Sequence, residues 1–330
     1  MTYELVCYFS LFFVGLIYCF CSLSSKVLYF TSTLILLMIN SAVMRYSGFD
    51  IDMNVYVSTL ETNVISMYYL KEPIYWVISR YLYDLLGSPE VTFMVYDFLS
   101  FIAVLKAREN IKLPQYFPFL FFLFFPSVMG INNVYRQYLS CCFFVYFMSL
   151  MYIEAGYLKR IYSLAFAFLT HNVAALFSPF LHAGTNRRNI SYLTIFFYMA
   201  VLVLLPFSLD TKSSSDTGEL GVSIYIVALF SFFMFYILSY RLKFDCNSKM
   251  VLHYFLFILC IMLLSAALMG GNQSKRVGMY SLALCLVFVV QAIEDNYKQV
   301  KITRATIYTI LILPTVVFPS SLYMLTTGIN

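Results

Sequence analysis

Charged residues are scarce in this sequence. Only 11% of its 330 residues are charged, whereas 62% are hydrophobic, and soluble domains carry about 25% charged residues. The apolar residues form blocks of about 20, the length that spans a bilayer as a helix. The composition therefore excludes a soluble fold. It predicts an all-α, polytopic integral membrane protein with a single domain, 1–330, and about 10–12 transmembrane helices.

Several motifs that define common enzyme and metal sites are absent. The eight cysteines include no CxxC and no Cys/His spacing, so we expect neither a disulfide framework nor a zinc site. There is no ATP-binding phosphate loop, no G-x-S-x-G and no H-E-x-x-H. The net charge of +5 comes from basic residues that stand singly between apolar runs. This pattern suits loops beside an anionic lipid leaflet, and no nucleic-acid partner is expected.

The apolar runs predict where the chain crosses the bilayer. The predicted spans are 5–22, 27–44, 91–105, 116–131, 135–153, 190–208, 221–240, 250–269, 277–293 and 305–326. Lys and Arg concentrate in cytoplasmic loops, which predicts that the loops following 105, 153, 183, 240 and 293 are cytoplasmic. Segments 45–90, 132–135, 209–220 and 270–276 are then external.

The stretch 157–183 lies between two basic pairs that should be on the same side of the membrane. We therefore predict a re-entrant or broken pair of helices, with Thr170-His171-Asn172 at its outward tip. Irregular backbone at membrane depth requires surrounding protein or water, so His171 would line a polar cavity. A single straight span over 161–181 is the alternative.

The external segment 45–90 is rich in polar residues. Asp50-Ile51-Asp52 is a D-x-D, which can bind metal or supply a general base, although a solvated loop is equally compatible with it. Arg45 ends a helix, where the dipole favours a cation in any case. Glu72-Pro73 reads as the start of an amphipathic interfacial helix over 72–88.

Two arginines stand at the starts of external helices. Arg136 follows Asn132-Asn133-Val134-Tyr135, and Arg276 ends the turn Gly270-Gly271-Asn272-Gln273-Ser274-Lys275. An arginine fork at a helix N-terminus suits phosphate oxygens, so this pair could clamp a pyrophosphate. Snorkelling to the interface is the alternative for each of them.

His171 is the only one of three histidines that lies within apolar sequence. As a functional group it would be a base for an incoming hydroxyl. A buried neutral histidine that is bound to a carbonyl is the alternative.

These motifs occur in an order that resembles a known family. They are Arg45-Tyr46 with Gly48, Asp50 and Tyr56; Glu72-Pro73-Ile74-Tyr75; Arg136-Gln137; His171-Asn172; and Asn272 with Arg276 and Tyr280. The chain resembles the EpsG-like branch of the Wzy-type bacterial O-antigen polymerases. Tyr138 departs from many relatives, which carry a small residue after Arg-Gln.

The resemblance implies an inner-membrane glycosyltransferase similar in architecture to the C-type glycosyltransferases, without metal or other cofactor. It would move a growing glycan from undecaprenyl pyrophosphate to the non-reducing end of a lipid-linked repeat unit at the periplasmic face. His171, Asp50 and Asp52 are the catalytic candidates, and Arg136, Arg276 and Arg45 the pyrophosphate ligands. The supporting residues would be Glu72, Gln137, Asn272 and Tyr280.

Two other functions stay open at this stage. One is a C-type glycosyltransferase that adds a single sugar from a polyprenyl phosphate. The other is a lipid-linked oligosaccharide flippase or transporter, which would require cationic residues that line a path through the bilayer. The expected partners are undecaprenyl-pyrophosphate oligosaccharides and the lipid bilayer, and whether a chain-length regulator also binds is left open.

Overall fold

The structure, a computed structural model, describes residues 2–49, 51–62, 67–182, 192–205, 220–241, 244–297 and 299–326. All regular secondary structure in these ranges is helical. The sixteen α-helices are α1 (Tyr3–Phe20), α2 (Lys26–Tyr46), α3 (Ile51–Glu61), α4 (Pro73–Leu86), α5 (Pro89–Ile111), α6 (Phe117–Leu123), α7 (Phe125–Asn132), α8 (Tyr135–Tyr152), α9 (Tyr157–Thr170), α10 (Ala174–Phe177), α11 (Tyr192–Leu204), α12 (Val222–Tyr240), α13 (Cys246–Leu268), α14 (Gly271–Asn296), α15 (Val300–Val317) and α16 (Pro319–Thr326). Short 3-10 helices cover Met67–Lys71 and Ser178–His182.

Six of these helices are long and apolar enough to cross a bilayer: α1, α2, α12, most of α13, α14 and α15. The prediction of an all-α, multi-pass membrane protein is therefore confirmed. The remaining predicted spans correspond to helices that are shorter or more polar than these six.

Two predicted spans are each divided in the structure. The span 116–131 becomes α6 and α7 because the chain is extended at Phe124, two residues before Pro126. The span 305–326 becomes α15 and α16 in the same way, with an extended Phe318 directly before Pro319. Phe318 directly precedes Pro319, and the residue before a proline is driven out of the helical region. Pro126 lies in the first turn of α7, where proline is tolerated, whereas inside one continuous helix it would lack a hydrogen bond to the carbonyl four residues earlier and clash with it.

The centre of the protein is formed by α5, α8 and α14. Helix α8 packs on α5 and on α9, and α14 packs on α12 and α13. Both α8 and α14 are buried on nearly all sides, as expected of helices that are apolar all round. Their N-terminal ends lie side by side, since Gln137 Nε2 donates to the carbonyl of Arg276 at 2.5 Å.

One end of the molecule collects the described members of the basic loops, and we refer to it as the basic end. It contains the end of α1, the start of α2 and the ends of α5, α8, α12 and α14. Hydrogen bonds or ion pairs join these ends: Leu23–Gln115, Asn110–Ser149, Tyr152–Gln291, Tyr240–Asp295 and Arg304–Glu294. The cytoplasmic location of this end stays a prediction. The basic pair Arg187 and Arg188 lies outside the described residues.

The opposite end, the site end, contains the end of α2, the first turns of α4, α5, α8 and α14, and the break after α9. Helix α4 packs on α5 and α9. It buries Tyr75, Trp76 and Ser79 and exposes Ile78, Tyr81 and Leu85. Since the exposed face also carries large apolar side chains, the amphipathic character and the interfacial position of this helix stay predictions.

Candidate functional site

Glu72 lies at the centre of a charged cluster at the site end. It precedes Pro73, the first residue of α4, and is only 4% exposed. One carboxylate oxygen pairs with Arg136. The other accepts from the backbone N–H of Asn172 at 3.3 Å and lies 3.6 Å from His171 Nδ1. Glu72 thus joins α4, α8 and the break after α9.

Arg136, in the first turn of α8, has its guanidinium held by aromatic rings. It lies 4.6 Å from the ring centroid of Trp76, the only tryptophan of the chain, and 5.6 Å from that of Tyr56 in α3. Its Nε is 3.5 Å from the Tyr56 hydroxyl. The cation–π contacts and the carboxylate of Glu72 together fix the orientation of the Arg136 guanidinium.

His171 stands where α9 ends. Its backbone is extended, with φ −155° and ψ 130°, and the chain resumes helical structure at Ala174. The backbone N–H of Val173 donates to His171 Nδ1 at 3.1 Å. Because this bond uses the Nδ1 lone pair, the hydrogen-bond network assigns the proton of the neutral ring to Nε2. His171 therefore presents a donor at Nε2.

The cluster separates the ionisation states of its two titratable groups. Burial raises the pKa of the Glu72 carboxyl, but three neighbours outweigh burial and hold this pKa below its ordinary value: the His171 imidazole in its protonated form, the Arg136 guanidinium and the Asn172 N–H. Burial lowers the pKa of His171 to about 4, against the opposing effect of Glu72 and with help from Arg136 and Arg276. At neutral pH Glu72 is therefore ionised and His171 is neutral.

Arg276 approaches the same cluster from the first turns of α14. Its carbonyl accepts the hydrogen bond from Gln137, the neighbour of Arg136, and its charge contributes to the low pKa of His171. Two helix N-termini, each with an arginine, are therefore adjacent. Both the dipoles and the side chains favour an anion here.

Tyr280 lies behind this cluster within the helix packing. Its ring stacks on Phe177 with centroids 4.7 Å apart, and its hydroxyl is 3.3 Å from that of Ser140. Ser140 in turn donates to the carbonyl of Ala167 at 2.9 Å, near the end of α9. Tyr280 is buried, so its place is that of a support for the broken segment.

Arg45 is enclosed by protein, away from any open surface. Its side chain is 2% exposed and forms a two-pronged ion pair with Asp97, at 2.9 and 3.0 Å. Asp97 also accepts from the hydroxyls of Ser41 at 2.6 Å and Tyr135 at 2.8 Å, and the Arg45 guanidinium lies 4.7 Å from the Tyr135 ring centroid. This geometry indicates that Arg45 and Asp97 form a structural ion pair, and it does not favour the predicted contact of Arg45 with pyrophosphate.

Three further residues were predicted from the sequence to belong to the site: Asp50, Asp52 and Asn272. Asp50 lies outside the described residues. Asp52 is half-buried in the first turn of α3, the helix that brings Tyr56 to Arg136, and Asn272 is half-buried in the first turn of α14. Their roles stay predictions. Within the described ranges no three His, Cys, Asp or Glu side chains are grouped as metal ligands.

Sequence reasoning underrated two carboxylates. Glu72 was expected to act mainly as a helix start, and Asp97 had no assigned partner. The signal for Asp97 was its position: an ionised group deep in a span requires a counter-ion, and Arg45 supplies it. The signal for Glu72 was weaker, because a Glu-Pro pair is common at helix starts.

Comparison with known protein families identifies the family of this chain. The sequence profile of the EpsG family matches residues 26–327, nearly the whole chain. No curated protein and no solved structure matches this chain.

Proposed function

The chain belongs to the EpsG family, and from this premise we propose that it is a polysaccharide polymerase of the O-antigen type. In this proposal it transfers a growing glycan from undecaprenyl pyrophosphate to the non-reducing end of a lipid-linked repeat at the periplasmic face of the inner membrane. The observation that carries the proposal is the convergence of Arg136, Arg276, Glu72 and His171 at one end of a multi-pass helical protein.

The electrostatics of the cluster suit a pyrophosphate leaving group. With Glu72 ionised and His171 neutral, these four side chains carry one net positive charge. Arg136 is already oriented by Glu72 and Trp76, so it needs little rearrangement to meet charge that develops during the reaction. Preorganised donors of this kind lower a barrier by several kcal/mol, or about 10²–10³ in rate for each donor.

The chemical step is a substitution at the anomeric carbon of the donor. The acceptor hydroxyl oxygen forms a bond to that carbon, and the bond from the carbon to the pyrophosphate oxygen breaks. The leaving pyrophosphate keeps the electron pair and is held by Arg136 and Arg276. The hydroxyl proton passes to a base, for which the carboxylates of Asp50 and Asp52 and the imidazole of His171 are the candidates.

The hydrogen bond from Val173 favours a donor role for His171 over that of a base. With Nδ1 accepting this bond, Nε2–H can donate to a phosphate or sugar oxygen. Acting as base would require the other tautomer, with the Nδ1 proton directed at Glu72. We therefore propose that His171 orients the substrate, which leaves proton removal to Asp50 or Asp52.

Transport of lipid-linked oligosaccharide is less compatible with the distribution of charge. A flippase needs polar groups along its route through the bilayer. In the described part of the chain, Arg136 and Arg276 lie at the site end, and the described basic-loop residues lie at the other. Arg45, also at the site end, is buried against Asp97.

Purified protein supplied with one lipid-linked repeat tests the proposal. A polymerase converts it into a ladder of products that differ by whole repeat units, resolved by mass spectrometry. A product enlarged by a single sugar, formed only when a polyprenyl-phosphate sugar is added, would establish the C-type transferase instead. Movement of the substrate between leaflets with no new glycosidic bond would establish a transporter.

A further inference from the structure

A charged cavity lies at the basic end, at the opposite end of the molecule from Glu72 and Arg136. It has a volume of about 200 Å³ and lies between the start of α2 and the end of α5. Its polar lining includes Lys26, Lys106, Arg108 and Glu109, and its aromatic lining includes Tyr29 and Phe30. Three cations and one carboxylate leave this cavity with a net positive charge.

The carboxylate in this cavity is already paired. Lys106 Nζ lies 2.9 Å from Glu109 Oε2, whereas Arg108 has no carboxylate within ion-pair distance among the described residues. Arg108 instead lies 4.9 Å from the ring centroid of Tyr29, with a long contact of 3.5 Å from Nε to the Pro114 carbonyl. A half-buried guanidinium with only these contacts has donor capacity left for an anion.

The start of α2 adds backbone donors to the same cavity. Ser25 Oγ accepts from the N–H of Leu28, and the N–H of Tyr29 bonds to the Ser25 carbonyl. The N–H groups of Lys26 and Val27 have no acceptor in the described part of the chain. First-turn N–H groups and the helix dipole favour a phosphate oxygen.

We infer that this cavity binds a phosphate group, and that the source of the phosphate is the headgroup of an anionic lipid in the leaflet at the basic end. The favoured source follows from what lies beside the cavity. Val27 and Leu28 are 73% and 55% exposed, and Ile35 and Ile39 continue this exposed apolar face along α2. An acyl chain can lie on that face while its phosphate occupies the cavity.

Lipid titration by native mass spectrometry tests the inference. The protein in neutral detergent is titrated with phosphatidylglycerol, phosphatidylcholine or inorganic phosphate. We expect saturable binding of phosphatidylglycerol that Lys26→Gln and Arg108→Gln each weaken about fivefold, the usual effect of one basic contact with an anionic lipid. Lys301→Gln is the matched control, because Lys301 is also an exposed first-turn lysine at the same end.

Each other outcome overturns part or all of the inference. Inorganic phosphate binding as tightly as phosphatidylglycerol, with the same sensitivity to Lys26→Gln, would assign the site to free phosphate. Equal weakening by Lys301→Gln would show diffuse surface attraction and no site. If Arg108→Gln fails to fold, the effect of Lys26→Gln on phosphatidylglycerol binding tests the inference alone. Lys26→Gln should fold, because the Lys26 side chain is exposed.

Discussion

Glu72 and Arg136, 64 residues apart in the sequence, form an ion pair that is largely buried and joins the start of α4 to the start of α8. The pair has two consequences. It stabilises the packing of α4 on the helix core, and it holds the Arg136 guanidinium in a fixed orientation. The two consequences can be separated by mutation.

Arg136→Ala should lose both stability and activity. Removing one partner of a buried pair costs roughly 3 kcal/mol, because the other charge stays buried. The double variant Arg136→Met/Glu72→Gln should recover most of the melting temperature in detergent but form no long polymer. Full polymer from the double variant would show that Arg136 has a structural role only.

Arg45 should behave differently from Arg136. Arg45→Met leaves Asp97 buried without its cation and should cost about 3–5 kcal/mol, measured as loss of folded protein in size-exclusion chromatography. Arg45→Met/Asp97→Asn removes both charges. The amide keeps an acceptor oxygen for one of the Ser41 and Tyr135 hydroxyls and can donate to the other, since a hydroxyl also accepts, so folding and polymer length should both recover. A double variant that folds normally yet makes no polymer would indicate that Arg45 binds pyrophosphate after all.

The donor role of His171 predicts that glutamine can replace it in part. In the His171→Gln variant the side-chain amide nitrogen would lie near the position of imidazole Nε2 and can still donate, but it cannot accept a proton. This variant should therefore keep more polymerase activity than His171→Ala in the single-repeat assay. Equal and complete loss in both variants would indicate that His171 is the base.

The low pKa of His171 makes stability depend on pH. Between its ordinary value of about 6.5 and its folded value of about 4, the unfolded chain binds more protons, so stability falls as pH decreases through this window. At pH 5 the loss is about 2 kcal/mol relative to pH 7. His171→Gln should lack this part of the dependence, which melting temperatures of both proteins at pH 7 and pH 5 will show. Parallel pH curves would contradict the assignment.

Much of the fold follows from the sequence because apolar runs of bilayer length are unambiguous. The proline breaks at Phe124 and Phe318 were missed, because both segments are apolar enough to read as continuous spans. For the site, the spacing of Arg136, His171 and Arg276 relative to the predicted helix ends already indicated one level in the membrane.

Other features of the site depend on tertiary contacts that no local pattern encodes. The pairing of Arg45 with Asp97 requires the register of α2 against α5. The contact of Glu72 with His171 requires the docking of α4 on α9. The tautomer of His171 follows from a single bond from Val173, which only the backbone geometry after α9 reveals.

The most direct test of polymerase activity and the arginine site is a gel of lipopolysaccharide from a strain that lacks this gene. The strain is complemented with the wild type, Arg136→Ala, Arg276→Ala or Lys301→Gln, with insertion of each protein checked in the membrane fraction. We predict a ladder of repeats with the wild type and Lys301→Gln, and a single repeat on the core with either arginine variant. A ladder that persists without the gene, or in membranes that contain only Arg276→Ala, would contradict the account.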